Sequence, residues 1–337
     1  MSTIKDVAKM ANVSITTVSR YLNEFPNIRD DTRTRIAEAI RTLNYRTNVA
    51  ARGLVTKTTR TIGVIALTRV DDFFENPFFV YALKGICRVA VAEDYDVLLS
   101  TTATEEDHSL DKWIHGQRVD GIILMKSRRI DPAVETLVQE KFPAVLLGRP
   151  EHGQRVSFVD NDNVRAAFDA TDHLLKLGHR KIAFIGGQEN LVVTEDRLTG
   201  YRTALDSANV NLREDYVCVG QYETQTGYNR CSVLLNLIDP PTAIVASDDV
   251  IAVGVLQAVH ELGKTVPRDL SVVGFNDIPS SEFTIPPLTT VRVNMEELGA
   301  TATRLLFQRL TEPDRPPRHI IVDTQIVIRN STGRLMD

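Results

Sequence analysis

Apolar residues change their spacing sharply near residue 60. Upstream they recur at helical intervals in three short stretches. Thr3 can cap a helix running through Ala11, with Val7, Ala8 and Ala11 on one side. Asn12 then supplies a turn residue that tolerates a left-handed backbone. Ser14 can cap a second helix, Ile15 to Leu22, and Asp30 and Asp31 open a third on which Ile36, Ile40 and Leu43 share a face. Three short helices with a tight turn between the first two follow the helix-turn-helix plan. On the second, Ile15, Thr16, Ser19, Arg20 and Asn23 fall within one arc, opposite Val18 and Tyr21.

After a connector at 45–60, short continuous apolar runs appear: Ile62–Leu67, Val97–Leu99, Gly121–Met125, Ala144–Gly148, Lys181–Ile185, Ala243–Ala246 and Ser271–Phe275. Most alternate with helical stretches, the βα rhythm of buried parallel sheets. There are too many strands for one compact sheet, so two Rossmann-like lobes are expected. The sequence places a break near Val159–Asn163, a return near Leu288–Asn294, and a last strand or two in His319–Arg329.

Composition narrows the class. Apolar residues make up 43% and charged residues 25%, an ordinary globular balance, and no run reaches the roughly eighteen apolar residues of a membrane helix. Acidic Asp6 and the lack of a long apolar stretch argue against a secretory signal, and Cys87, Cys218 and Cys231 read as reduced thiols, so a cytoplasmic location is expected. The net charge of −5 conceals an asymmetry: residues 1–60 carry eleven Lys and Arg against five Asp and Glu, and the remainder 28 against 39. A basic head on an acidic body suits a molecule that offers only its head to a polyanion. Arg20 can bond the O6 and N7 of a guanine, Thr16 can donate or accept, and Ile15 can meet a thymine methyl.

The head, MSTIKDVAKMANVSITTVSRYLNEFPNIRDDTRTRIAEAIRTLNYRTNVAARGL, resembles the lactose-repressor/galactose-repressor (LacI/GalR) family, and the likeness continues through TIGVIAL, ENPFF, DGIIL, LLGRP, VDNDN, HLLKLGHRKIAFIGG, DRLTGY, PTAIVASDD, DLSVVGFND and PPLTTV. The resemblance implies an α/β protein: an all-α helix-turn-helix headpiece at 1–47, a hinge helix and linker at 48–60, and a two-lobed, periplasmic-binding-protein-like core of doubly wound parallel sheets. One lobe would comprise 61–159 and 291–318, the other 160–290 and 319–330, with a tail at 331–337. It implies base reading by Ile15, Thr16 and Arg20, with Ser14, Thr17 and Asn23 near phosphates and Thr3 among the DNA-binding residues. Asn48, Ala51 and Leu54 fall in the hinge, Leu54 as a minor-groove wedge. Gly53 should weaken that helix by up to about 1 kcal/mol. The partners implied are double-stranded operator DNA, a small sugar and a second copy of the chain. The chain stops at Asp337 without the leucine-heptad tail of tetrameric relatives, so a homodimer is expected.

Ligands of two-lobed α/β proteins sit at strand carboxyl ends. The candidates there are Phe78, Phe79, Arg149, Asp160, Arg197, Tyr222, Asp248 and Asp277, a mixture of aromatic faces and paired hydrogen-bonding groups suited to sugars. Arg197, Asp277 and Tyr222 match family ligand positions. Each has a plainer reading: Phe78 and Phe79 as core, Asp248 as a helix cap, Asp160 as a bridge between lobes. GRP, VDNDN and FNDIPSSE resemble the maltose-responsive branch, and Phe73 and Phe74 near the cleft mouth would suit an oligosaccharide.

Rival classes fare worse. A sugar-transport protein would need a leader and no basic head. For an enzyme, Gly186-Gly187 makes no dinucleotide fingerprint, no Walker loop or nucleophile elbow occurs, and His108 and His115 lack metal-ligand partners, so no catalytic site, metal or cofactor is expected. Within regulation, a phosphorylated carrier protein could dock on the helix at Asn294–Leu310 through Arg304 and Arg309, although a solvated helix face is the favoured reading.

Overall fold

The protein, seen in a computed structural model, is described at residues 2–22, 25, 27–45, 58–66, 68–101, 109–125, 128–129, 131–150 and 155–335. It divides into residues 1–59 and 60–337.

The head holds α1 (Ile4–Ala11), α2 (Ile15–Leu22) and α3 (Asp30–Thr42). Its start is locked locally. The Asp6 carboxylate accepts from the backbone N–H and the hydroxyl of Thr3, each at 2.8 Å, and these bonds hold Asp6 below the usual carboxylate range. Asn12 ends α1 with φ of 52°. Ser14 Oγ accepts from Thr17 N–H at 3.1 Å at the start of α2. Val7, Ala8, Ala11, Val18, Ile36 and Ala39 form the buried centre. Arg33 on α3 donates to the carbonyls of Ile28 (3.2 Å) and Phe25 (3.0 Å), upstream of its own helix.

In the second unit the chain first lays down β1 (Thr61–Ala66), α4 (Val70–Glu75), α5 (Pro77–Ala92), β2 (Asp96–Thr101), α6 (Ser109–Ile114), β3 (Gly121–Met125), α7 (Pro132–Gln139), β4 (Ala144–Leu147) and β5 (Ser157–Asn161). It crosses at Asp162 into α8 (Asn163–Lys176), β6 (Ile182–Gly186), α9 (Val192–Ser207), β7 (Val217–Val219), α10 (Thr224–Leu235), β8 (Ala243–Ala246), α11 (Asp249–Glu261), β9 (Ser271–Asn276) and β10 (Thr289–Val293). It returns at Asn294 for α12 (Met295–Thr311) and β11 (His319–Val322), then crosses again at Asp323 into β12 (Thr324–Val327).

The sheets run β11-β5-β4-β3-β1-β2 and β12-β10-β9-β8-β6-β7. Every pairing is parallel except β10 with β12. The first five strands of each lobe therefore repeat one order, 2-1-3-4-5, with its crevice at the carboxyl ends where the order reverses. The helices of each lobe pair closely through glycine: a Cβ on Gly85 would lie 1.9 Å from the Glu296 carbonyl, and one on Gly227 1.9 Å from that of Ile251.

These strands correct the expected lobe limits. His319–Val322 pairs with Phe158–Asn161 in the first sheet, so 319–330 is not all in the second lobe. Thr289 and Thr290 open β10 with the rest of that strand, which puts 291–293 in the second lobe. The last crossing has only Asp323 between two short, similarly patterned strands, and local spacing cannot say which sheet edge each fills. Among the described residues no helix is long and apolar enough to cross a membrane.

Candidate ligand cleft and nucleic-acid interface

The head presents the expected arc. Val18 is fully buried, while Ile15, Thr16 and Arg20 stand exposed on the other side of α2. Ser14 and Thr17 lie at its start, their hydroxyls 2.8 Å apart. Thr3 is exposed at the start of α1, its hydroxyl on Asp6. Asn23, Asn48, Ala51, Gly53 and Leu54 lie outside the described residues.

In the second unit the strand ends of both lobes enclose a cleft of about 920 Å³ including its mouth. The first lobe contributes Thr68 after β1, Phe78 and Phe79 on α5, Arg149 after β4, and Asp160 on β5. The second contributes Asn163, Gln188, Arg197, Tyr222, Asp248 and Asn276.

Arg197 organises the floor. Only 4% exposed, it donates through Nε to Asn163 Oδ1 at 2.9 Å and through Nη1 to the Ser247 carbonyl, while its guanidinium lies 3.7 Å from the centroid of the Phe275 ring. Burial works against its charge, and Tyr222, Asp248 and Asp160 support it. Asn163 passes the network on by donating to Asp160 Oδ1 at 3.2 Å, which also accepts from Asn161 N–H at 2.8 Å. Burial pushes the Asp160 carboxyl up to about 7; nearby Asp196 adds to the rise, and Arg197 and Arg149 oppose it.

Asp248 caps α11 by accepting from Val250 N–H at 2.9 Å, as the plainer reading of it held, yet it also lines the cleft. Its Oδ2 accepts from Asn276 Nδ2 at 2.8 Å, and burial raises it to about 6. That bond fixes the Asn276 amide, whose Oδ1 is buried without a hydrogen-bond partner among the described residues. A buried acceptor left bare is costly, and a ligand hydroxyl would satisfy it.

Aromatic walls complete the cleft. Tyr222 packs so tightly on Gly187 that a Cβ there would lie 2.1 Å from its ring, and its hydroxyl is 3.0 Å from Thr194 Oγ1. Phe79 is mostly core yet lines the cleft beside Phe78, edge to face with centroids 5.6 Å apart.

Away from the crossing at Asp162, further ties run between the lobes among the described residues. Arg149 Nε donates to Asp196 Oδ2 at 2.9 Å and its Nη2 to Oδ1. Asn76 Nδ2 donates to Asp248 Oδ2 at 3.4 Å, and Arg129 N–H to the Asn190 carbonyl at 2.9 Å.

Residues 3–48 match the model of bacterial regulatory proteins of the lacI family, and residues 171–332 that of a periplasmic binding protein-like domain. Over 338 residues the chain is 32% identical to the HTH-type transcriptional repressor PurR of Mannheimia succiniciproducens, covering 99% of this chain and 100% of that one. The chain belongs to the LacI family. Among solved structures, a complex of the transcriptional regulator CelR with cellobiose matches with a TM-score of 0.78 and 30% identity, over 98% of this chain and 100% of that one. The lac repressor dimer bound to operator and the anti-inducer ONPF matches with a TM-score of 0.86 and 25% identity, over 98% and 99%. This LacI-family protein is thus a DNA-binding transcriptional repressor and not an enzyme.

In this LacI-family repressor the cleft gathers Phe78, Phe79, Arg149, Asp160, Arg197, Tyr222 and Asp248 but not Asp277. Asp277 is held by Arg292 Nε and Arg329 Nη2, each at 2.7 Å, and its neighbour Asn276 takes the place in the cleft. β9 ends at Asn276, and the backbone turns through positive φ at both residues, so an error of one position moves the side chain out of the site. Phe73 is also displaced from its expected place: it is fully buried, stacked on Phe79 with centroids 5.4 Å apart, and Phe74 is 60% exposed, so neither lines the cleft. Among the cleft residues that sequence reasoning missed are the amides Asn76, Asn163 and Asn276. Asn76 had a signal, an Asn-Pro step before an apolar helix, and it caps α5 by accepting from Phe78 N–H at 2.9 Å. On α12, Arg304 donates to Glu297 Oε1 at 2.8 Å and Arg309 to the Arg315 carbonyl, so both cations suggested for a phosphorylated carrier already have partners in the chain.

Proposed function

We propose that this repressor reads a palindromic operator as a homodimer and releases it when a sugar fills the cleft between its lobes. The α2 face carries the reading: Ile15, Thr16 and Arg20 are exposed together, with Ser14 and Thr17 placed for phosphates. The observation that carries the effector half is the bare Oδ1 of Asn276, a residue that lines the cleft together with Asp248, Asp160, Arg197, Tyr222 and Phe78. Alternating acceptors and donors around aromatic faces match the hydroxyl edges and C–H faces of a pyranose.

Maltose or a maltodextrin leads among sugars, on the resemblance of GRP, VDNDN and FNDIPSSE to the maltose-responsive branch. Burial of Phe73 removes the aromatic argument for an oligosaccharide. Binding across the cleft changes how firmly the lobes hold each other, and that change reaches the operator as a shift between two states. Calorimetry with maltose, cellobiose and simple hexoses, paired with operator affinity with and without each sugar, tests this. One sugar should give heat and weaken the operator complex at least tenfold. Heat with tighter operator binding would reverse the sign, and no heat with any sugar would refute the effector assignment.

A further inference from the structure

Among the described residues, the cleft lining is richer in acidic than in basic side chains: Asp72, Asp160, Asp248 and Glu223 stand with Arg149 and Arg197. Neither guanidinium is idle. Arg197 is spent on Asn163, Ser247 and the face of Phe275.

Arg149 faces the cleft from the first lobe with its planar donor fork closed on a carboxylate of the second lobe. Its Nη1 donates to the Pro150 carbonyl at 3.3 Å. Asp196, whose side chain is only 7% exposed, stands behind that fork and is not itself part of the lining.

A planar fork is the group that would hold a ligand carboxylate or phosphate by two parallel hydrogen bonds. Here a protein carboxylate already occupies it. An anionic ligand would have to displace Asp196 and then settle among carboxylates. An uncharged polyol needs neither step, because it can donate to Asp160, Asp248 and Asn276.

We propose that Asp196 is the residue that sets the charge specificity of the cleft: by closing the fork of Arg149 it reserves the site for uncharged, hydroxyl-rich ligands and excludes their acidic counterparts. This rests on the reading of the cleft as a sugar site. It adds what that reading leaves open, namely the charge of the sugar and the residue that selects it. Because Arg149 and Asp196 belong to different lobes, the same pair also helps hold the cleft closed.

The test is calorimetry on the full-length protein and on Asp196→Asn, with glucose, galactose, maltose and cellobiose set against glucuronate and galacturonate. The wild type should bind its preferred neutral sugar at least tenfold more tightly than either uronate. Asp196→Asn, with folding checked by its melting curve, should shift that ratio towards the uronates at least tenfold, and adding Arg149→Gln should abolish the gain. A wild type that prefers a uronate overturns the proposal without recourse to any variant, as does an unchanged ratio in folded Asp196→Asn. In both cases the cleft remains a sugar site. Silence with every saccharide, neutral or acidic, overturns the sugar reading itself and this proposal with it.

Discussion

Asp160 joins the chemistry of the cleft to stability. Its folded carboxyl takes up a proton at about 7, against an ordinary 3.8, chiefly because burial penalises the charge. Between those values the folded chain holds a proton that the unfolded chain lacks. Its contribution to stability is therefore complete below the unfolded value and is lost as pH rises through about 7, with a slope of at most about 1.4 kcal/mol per pH unit. Asp160→Asn keeps an acceptor for Asn161 and Asn163 but cannot ionise. Urea unfolding at pH 5 and pH 8 should show a smaller loss of stability in the variant than in the wild type, and equal losses would refute the assignment. At this scale the sequence was legible in chemistry more than in direction. Asp160 was marked by its strand end, whereas Arg197, inside α9, and Tyr222, beyond β7, were reached through the family resemblance. The choice between Asn276 and Asp277 depended on a backbone that turns through positive φ at both residues, 105° and 55°, and no local propensity reports that.

Elements were more legible, because their signals are local. Thr3, Asn12 and Ser14 marked the ends of α1 and the start of α2, and apolar runs flanked by helices marked the parallel strands. Among the edge strands, β7 escaped for the converse reason, as did the sheet to which each of β11 and β12 belongs. Three-residue β7 is only partly buried, and β11 and β12 are similar in pattern but pair with different sheets. Helix packing was likewise hidden, since it needs two distant segments at once. Gly227 on α10 sits against the backbone of α11, and Gly254 on α11 returns the contact, its Cβ position 1.9 Å from the Thr224 carbonyl. Both obstacles are backbone carbonyls, which cannot turn aside as a side chain would. Gly227→Ala should force the two helices apart and cost about 1–3 kcal/mol, the usual range for overpacking. Chemical denaturation measures this, and a variant as stable as the wild type would show that the pair can slide without penalty.

At the scale of the whole molecule, the operator reading proposed above requires the basic head in duplicate. On that reading one α2 offers three side chains to the bases, too few to distinguish an operator from competing DNA, and a second head on the other half of a palindrome multiplies the selectivity. Duplication needs a surface that holds two copies, and the second unit offers one of suitable chemistry between β9 and β10. Phe283 is 81% and Ile285 94% exposed, on a loop fixed by Leu288 N–H on the Ser281 carbonyl at 2.8 Å and Asn330 N–H on that of Pro287 at 3.0 Å. Two large apolar side chains held out by a braced loop are costly in water and favourable in an interface. Because they are exposed, replacing them should leave the fold intact: Phe283→Ser with Ile285→Ser should melt within about 1 kcal/mol of the wild type. Sedimentation should show the double variant dissociating at protein concentrations where the wild type stays dimeric. Its affinity for a palindromic operator should fall at least a hundredfold, while its affinity for random duplex, which needs only the basic head, falls far less. A double variant that remains dimeric and keeps full operator affinity would place the dimer contact elsewhere on the molecule.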